Sequence, residues 1–180
     1  MRFAYADPPY LGCGTKHYAD HPDAADWDTP DAHKRLIAKL CADYPDGWAL
    51  SCSSPSLKTL LPMCPDDVRI GPWVKPFHAL KRGVRPSYGW EPVLFRGGRN
   101  KNHPPPPKGG KATTPRDFVI ANITLKKGLT GAKPEAFCAW VLDILGFQPG
   151  DSIDDLFPGT GVMARVLADR VISFGPEQVQ

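Results

Sequence analysis

A carboxylate, two prolines and an aromatic ring stand together near the start of the chain, at Asp7, Pro8, Pro9 and Tyr10. They directly follow Arg2 to Ala6, a predicted short strand that ends here because proline cannot continue a strand ladder. Ionised Asp7 only accepts hydrogen bonds, and the Pro8 carbonyl is an acceptor without an N–H of its own. Two acceptors held in fixed directions by stiff prolines, beside a flat phenol ring, suit a planar ring that bears an amino group. A capped turn is the alternative interpretation of the same residues.

A second group of residues lies near the end of the chain, between a predicted strand and a predicted helix. Its members are Asp155, Phe157, Gly159, Thr160 and Gly161. Glycines at such a position let the backbone approach a ligand closely, and the helix N-terminus directs N–H groups at it. The spacing matches neither the Gly-x-Gly-x-x-Gly of dinucleotide sites nor the Gly-Lys-Ser/Thr of a P-loop, so neither nucleotide class fits well.

Together, these two motifs resemble those of the amino-methyltransferases that use S-adenosylmethionine (SAM) to methylate N6 of adenine or N4 of cytosine in nucleic acid. The Asp-Pro-Pro-Tyr motif precedes the glycine motif, as in the permuted, β-class order of that family. The stretches Trp73 to Pro76 and Trp90 to Phe95 are similar to the family's central strands. Lys133 and Pro134, within Thr130 to Glu135, are similar to the segment that lines the methionine part of the cofactor pocket. The resemblance covers nearly the whole chain.

The resemblance implies transfer of a methyl group from SAM to N6 of adenine in DNA, since Asp at position 7 leans towards adenine. The implied catalytic residues are Asp7, Pro8, Pro9 and Tyr10. The implied cofactor-binding residues are Lys133, Pro134, Asp155, Phe157, Gly159, Thr160, Gly161 and Glu177, the last as the acid that holds the ribose hydroxyls. The expected nucleic-acid contacts are His17, Tyr18, Lys81, Arg82 and Arg85.

Other functions stay open at this point. The target could be N4 of cytosine, N6 of adenine in RNA, or a free small molecule. A catalytically silent nucleic-acid-binding module is a further alternative, against which the intact motif from Asp7 to Tyr10 argues. Lys133 could contact the cofactor or be a solvated lysine. Glu91 could anchor loops near the site or be a surface acid on a strand.

The alternation of predicted strands and helices indicates an α/β fold with a mainly parallel sheet. The resemblance implies a Rossmann-like, three-layer methyltransferase fold, whose central sheet could be shorter than usual for the family. At 180 residues the chain is expected to form one catalytic domain, residues 1–180. Residues 97–114, rich in Pro, Gly and Lys, are expected to form a loop where family members often insert a target-recognition domain. Gly12 to Asp28 is predicted to be a loop, and Val171 to Phe174 a final strand.

Composition narrows the class of protein. Hydrophobic residues make up 42% and charged residues 23%, which is typical of globular proteins. No run of about 18 apolar residues predicts a membrane span. The start of the chain lacks the pattern of a signal peptide, so a cytoplasmic protein is expected. The five cysteines contain no Cys-x-x-Cys pair, which argues against structural zinc, and no metal is expected.

The charge distribution agrees with a nucleic-acid partner without requiring one. The formal net charge is +3. The stretch from Lys75 to Lys111 contains nine Lys or Arg residues but only one acidic residue, Glu91. Such a patch could meet phosphates or simply form a solvated surface. The resemblance makes DNA the expected partner ahead of RNA, with a homodimer or partner subunit left open.

Overall fold

The structure, a computed structural model, describes residues 1–77, 83–99, 114–124 and 131–173. For residues 171–173 it describes only the backbone. Its strands are β1 (Arg2–Ala6), β2 (Gly47–Ser51), β3 (Arg69–Val74), β4 (Trp90–Gly97), β5 (Val119–Ile120) and β6 (Ser152–Asp155). Its α-helices are α1 (Gly14–Tyr18), α2 (Pro30–Asp43), α3 (Leu57–Leu60), α4 (Glu135–Ile144) and α5 (Val162–Ser173). Short 3-10 turns occur at Asp26–Asp28, Ser54–Ser56 and Leu61–Met63.

The six strands form one sheet in the order β5-β3-β4-β2-β1-β6. β1 runs parallel to β2 and β6, and β3 runs parallel to β5. β4 is antiparallel to both of its neighbours, β2 and β3. The described sheet is therefore mixed, with three parallel pairings and two antiparallel ones.

Alternation along β1 shows how the sheet divides the core. Phe3 and Tyr5 point to one face and pack in a cluster with α4 and α5. Ala4 and Ala6 point to the other face, where α2 and α3 pack. Because side chains alternate across a strand, both faces of the central strands are buried, and helices cover each face. This gives three layers, helix–sheet–helix.

Capping residues and prolines mark the starts of two helices. Thr29 caps α2, its hydroxyl oxygen accepting a hydrogen bond from the Ala32 amide, and Pro30 takes the first helical position. Pro134 precedes α4, whose buried face includes Phe137 and Leu142. None of the described helices combines the length and apolar character needed to cross a membrane.

Two predicted elements are wrong. The predicted loop from Gly12 to Asp28 contains α1, a short helix without apolar periodicity. It is held by Asp28, whose carboxylate accepts hydrogen bonds from the Gly14 and Thr15 amides at 2.6 and 3.0 Å. The predicted final strand, Val171 to Phe174, is the second. Its described residues, 171–173, form the end of helix α5 and not a strand.

The sequence also favours a strand over Phe118 to Ile123, and the structure limits this strand to Val119–Ile120. Of the predicted loop 97–114, residues 100–113 lie outside the described residues.

Candidate active site

Both sequence motifs lie at one edge of the sheet. Asp7 follows β1, and Asp155 ends the neighbouring parallel strand β6, where it pairs in register with Tyr5. Because β4 is antiparallel to β3, its first residues lie beside the last residues of β3, with Val74 opposite Trp90. The carboxyl ends of the parallel strands and the start of β4 therefore meet, which is where α/β sheets bind ligands.

Lys133 reaches this edge from the segment before α4. Its ammonium donates to both carboxylate oxygens of Asp7 at 2.8 Å. Only 8% of the Lys133 side chain is exposed to solvent. The interpretation of Lys133 as a solvated lysine is therefore wrong, and the lysine is a partner of the Asp-Pro-Pro-Tyr motif.

Tyr10 is held at the same place by its hydroxyl. The hydroxyl donates to the Glu91 carboxylate at 2.8 Å and accepts from the Lys133 ammonium at 3.1 Å. The ammonium also lies 5.4 Å from the centre of the Tyr10 ring, within the range of a cation–π contact. The orientation of the ring is thus fixed at its polar end.

Glu91 joins two cations. Its Oε1 accepts from the Lys75 ammonium, and its Oε2 lies 3.8 Å from the Lys133 ammonium. The interpretation of Glu91 as an ordinary surface acid is wrong, since only 23% of its side chain is exposed. Asp7, Lys133, Glu91 and Lys75 thus form a charge cluster of two carboxylates and two ammonium groups.

Burial and mutual attraction set the protonation of this charge cluster. Burial raises the pKa of the Asp7 carboxyl above its usual value, although the Lys133 ammonium opposes that rise. Burial acts to lower the pKa of Lys133, but the charges of Asp7 and Glu91 outweigh it and leave the pKa raised. Burial likewise acts against ionisation of Glu91, yet Lys133 and Lys75 bring its pKa below the usual value. Lys133 and Glu91 are therefore charged at neutral pH.

The Tyr10 hydroxyl stays protonated. Burial raises its pKa well above the usual value, and the charges of Asp7 and Glu91 add to the rise. A protonated phenol keeps its single O–H for Glu91, so the hydrogen bond that orients the ring persists through the physiological range.

Apolar rings surround the charge cluster. The Lys75 ammonium lies 4.5 Å from the centre of the Trp73 ring. The Lys133 ammonium lies 5.9 Å from the centres of both the Trp73 and Phe137 rings. Such walls exclude water and strengthen the electrostatic interactions inside.

The glycine motif offers open backbone beside the charge cluster. Gly159 and Gly161 have positive φ angles of +47° and +69°. A Cβ on Gly161 would meet no atom within 4 Å, and one on Gly159 only the Phe157 carbonyl at 3.8 Å. The Asp155 carboxylate, whose pKa is raised by burial, accepts a hydrogen bond from the Phe157 amide at 3.3 Å. The backbone at Gly159 and Gly161 is therefore open to close approach by a ligand.

An aromatic contact that the sequence analysis missed supports this motif. The Trp27 ring packs edge-on against Phe157, with the centres 5.2 Å apart. The Trp27 ring also packs edge-on against the His33 ring of α2, with the ring centres 5.5 Å apart. The only signal in the sequence is a large aromatic residue in a polar stretch, which does not identify its partner.

The residues expected to contact nucleic acid lie in different parts of the structure, and some lie outside the described residues. His17 and Tyr18 are exposed residues of α1. Burial, and next the charge of Asp7, raises the pKa of the Tyr18 phenol. Arg85 is exposed and lines a cleft of about 440 Å³ together with Tyr88 and Trp90. Lys81, Arg82 and the cofactor candidate Glu177 lie outside the described residues.

Comparison with known proteins finds similarity in structure only. No protein-family model matches the sequence, and no curated protein matches it. Among solved structures, the chain is similar to the crystal structure of the M1.HpyAVI–SAM complex, with a TM-score of 0.56 and 18% sequence identity. The similarity covers 95% of this chain and 78% of the other. The chain has a Rossmann-like methyltransferase fold. The predicted fold class is thereby confirmed.

Proposed function

We propose that this protein transfers a methyl group from SAM to an exocyclic amino group in nucleic acid, with N6 of adenine in DNA as the target. The observation that carries the proposal is the meeting of two motifs at one sheet edge. Asp7 and Tyr10 follow β1, and the glycine motif follows the neighbouring strand β6, whose last residue Asp155 pairs with Tyr5. The likeness to a protein crystallised with SAM supports the same cofactor here.

The residues of the glycine motif fit a bound SAM molecule. The open space beside Gly161 would admit the ligand to the backbone, and Thr160 and Asp155 offer polar groups next to it. Phe157 supplies an apolar surface that Trp27 holds in place. When bound, SAM supplies a methyl group on a sulfonium, whose departure leaves the carbon–sulfur electron pair on sulfur.

Asp7 and Pro8 would receive the target amino group. An aromatic amino group is a poor nucleophile, because its lone pair is delocalised into the ring. Acceptors that hold both N–H bonds favour a pyramidal nitrogen and stabilise the positive charge that develops on attack. The stiffness of Pro8 and Pro9 keeps these acceptors in place before the substrate arrives.

Tyr10 would stack on the target base. Stacking of a base on an aromatic side chain contributes about 1–3 kcal/mol. In a duplex the target base must first leave the helix, at a cost of a few kcal/mol. Because its hydroxyl bonds to Glu91 and Lys133, the Tyr10 ring is pre-oriented for that contact.

Neighbouring residues would bind the rest of the strand. Tyr18 and His17 are exposed on α1, the helix that follows the Asp-Pro-Pro-Tyr motif, and are proposed to contact the target strand. Arg85 would contact phosphate along its cleft, while Tyr88 and Trp90 offer flat surfaces to adjacent bases. Lys81 and Arg82, close to Arg85 in sequence, are proposed as further phosphate contacts.

Labelled SAM incubated with DNA, RNA and free nucleosides tests the proposal. We expect label in DNA, and binding of SAM by calorimetry without any nucleic acid. Absence of SAM binding would overturn the proposed cofactor. Label confined to RNA or nucleosides would overturn the proposed substrate, and SAM binding without transfer to any acceptor would favour the silent binding module.

A further inference from the structure

In the structure Asp7 is already paired with one cation, which competes with its proposed role of stabilising another. Both of its carboxylate oxygens contact the Lys133 ammonium at 2.8 Å. In the proposed reaction the same carboxylate must stabilise a nitrogen that becomes positive. A cation already bound to an acceptor weakens the field that the acceptor offers to a second cation. Lys133 therefore needs another counter-ion while Asp7 engages the target.

Glu91 is placed to be that counter-ion. Its Oε2 lies 3.8 Å from the Lys133 ammonium. A movement of the flexible lysine head by about 1 Å would bring this pair to hydrogen-bond distance. Glu91 itself is fixed, because it lies on β4 opposite Trp73 and is bonded to both Lys75 and Tyr10.

We infer that Glu91 is a positioning residue for the proposed methyl transfer: it orients Tyr10 and serves as the counter-ion that frees Asp7 from Lys133 for the target amino group. The inference rests on the proposed function. It concerns a residue that never touches the reacting atoms, since Glu91 acts through Tyr10 and Lys133.

Charge balance strengthens the argument. With both carboxylates and both ammonium groups ionised, the charge cluster has a formal sum of zero. Methyl transfer moves a positive charge from the sulfonium to the target nitrogen, which the proposal places beside this charge cluster. With Glu91 neutral, the charge cluster itself would have a charge of plus one and would repel the charge that arrives on the nitrogen. The positive nitrogen is accordingly less well stabilised when Glu91 is neutral.

The test is the Glu91→Gln variant, which removes the charge and keeps the shape. Misplaced or weakened positioning groups can reduce rates by up to about 100-fold, so we expect kcat to fall roughly 10- to 100-fold. Calorimetry should show SAM affinity within a few-fold of wild type. Asp67→Asn is the matched control, since Asp67 pairs with Arg96 near the opposite end of β4. This control should change neither value by more than about two-fold.

The pH profile gives a readout that a purely structural role would not move. The charge of Glu91 contributes to the raised pKa of Asp7. In Glu91→Gln the acid limb of kcat/KM should therefore shift to lower pH, because Asp7 then ionises more easily. An unshifted limb together with unchanged kcat would overturn the inference and leave the proposed function standing.

A double-variant cycle separates this inference from the proposed function. Unfolding of Glu91→Gln, Tyr10→Phe and the combined variant is measured by denaturant titration, which needs no enzymatic activity. We expect the two effects to be non-additive, because the residues share a hydrogen bond. If wild type binds no SAM, the proposed function fails, and additive effects in this cycle would independently overturn the anchoring of Tyr10 by Glu91.

Discussion

The Asp7 carboxylate illustrates what a sequence can and cannot predict about one residue. Its neighbours Pro8, Pro9 and Tyr10 predict fixed acceptors beside an aromatic ring, because those properties are local. The pairing with Lys133 joins residues 126 positions apart, so no local pattern contains it. Glu91 is a similar case, since a carboxylate between Trp90 and Pro92 is equally compatible with a surface strand. The charges around the candidate catalytic residue became visible only in three dimensions.

At this scale we predict that Asp7→Ala abolishes methyl transfer while SAM affinity stays within a few-fold of wild type. The reason is that Asp7 addresses the amino group and not the sulfonium. Loss of one group that stabilises developing charge costs about 100- to 1,000-fold in kcat. Because Asp7 is one of only two proposed acceptors for the amino group and also anchors Lys133, we expect the loss to exceed this range. Transfer is measured with labelled SAM, and SAM binding by calorimetry.

Asp7→Asn is the companion variant, because it keeps the side-chain shape beside Lys133. Both variants leave a buried ammonium short of one counter-ion, so circular dichroism must show that they are folded. A folded variant with near-normal turnover would contradict the assignment of Asp7.

At the scale of elements, periodicity and capping residues predict those helices and strands whose formation depends on local interactions. β1 and the start of α2 at Thr29 follow from apolar runs and from Pro at the first helical position. The two failures have physical reasons. α1 depends on hydrogen bonds to Asp28, a contact outside the helix itself. The β-branched Val171 and Ile172 favour a strand intrinsically, but the preceding helix α5 extends through them.

The glycine motif yields the prediction at this scale. Gly161→Ala should weaken SAM binding at least about ten-fold, because a Cβ would enter the space beside the backbone and disfavour the φ of +69°. Gly150→Ala is the matched control. Gly150 also has a positive φ, +87°, and open space around it, but it lies in the turn before β6.

Calorimetry on both variants separates the two effects. Both should lose a similar amount of stability, about 1–2 kcal/mol, because each forces a side chain into a left-handed conformation. Only Gly161→Ala should lose affinity for SAM. Equal SAM affinity in the two folded variants would mean that the cofactor binds elsewhere.

For the whole molecule, the order of elements predicts the α/β class, but the sheet pairing depends on long-range contacts. The antiparallel placement of β4 makes the described sheet mixed, which alternation of elements alone does not predict. Long-range contacts also change the interpretation of the basic stretch from Lys75 to Lys111. Three of its nine cations form ion pairs within the fold: Lys75 with Glu91, Arg96 with Asp67, and Arg99 with Asp151. Of the remaining six, Arg85 is exposed and five lie outside the described residues, Lys81, Arg82, Lys101, Lys108 and Lys111.

These remaining six cations set the expected salt dependence of DNA binding. Each phosphate contact contributes about −0.9 to the slope of log K against log salt, so six give a slope no steeper than about −5. Fluorescence anisotropy with a labelled duplex at several salt concentrations measures this slope. Binding that does not change with salt would contradict a phosphate-contacting surface, and a much steeper slope would indicate cations from a second subunit.

Identification of the modified nucleoside tests the central claim most directly. Wild-type protein is incubated with SAM and unmethylated DNA, and the DNA is digested to nucleosides for mass spectrometry, with Asp7→Ala as the control. We expect N6-methyl-2′-deoxyadenosine from wild type and none from the variant. N4-methyl-2′-deoxycytidine as the product, or the same methylated adenine from both proteins, would contradict it.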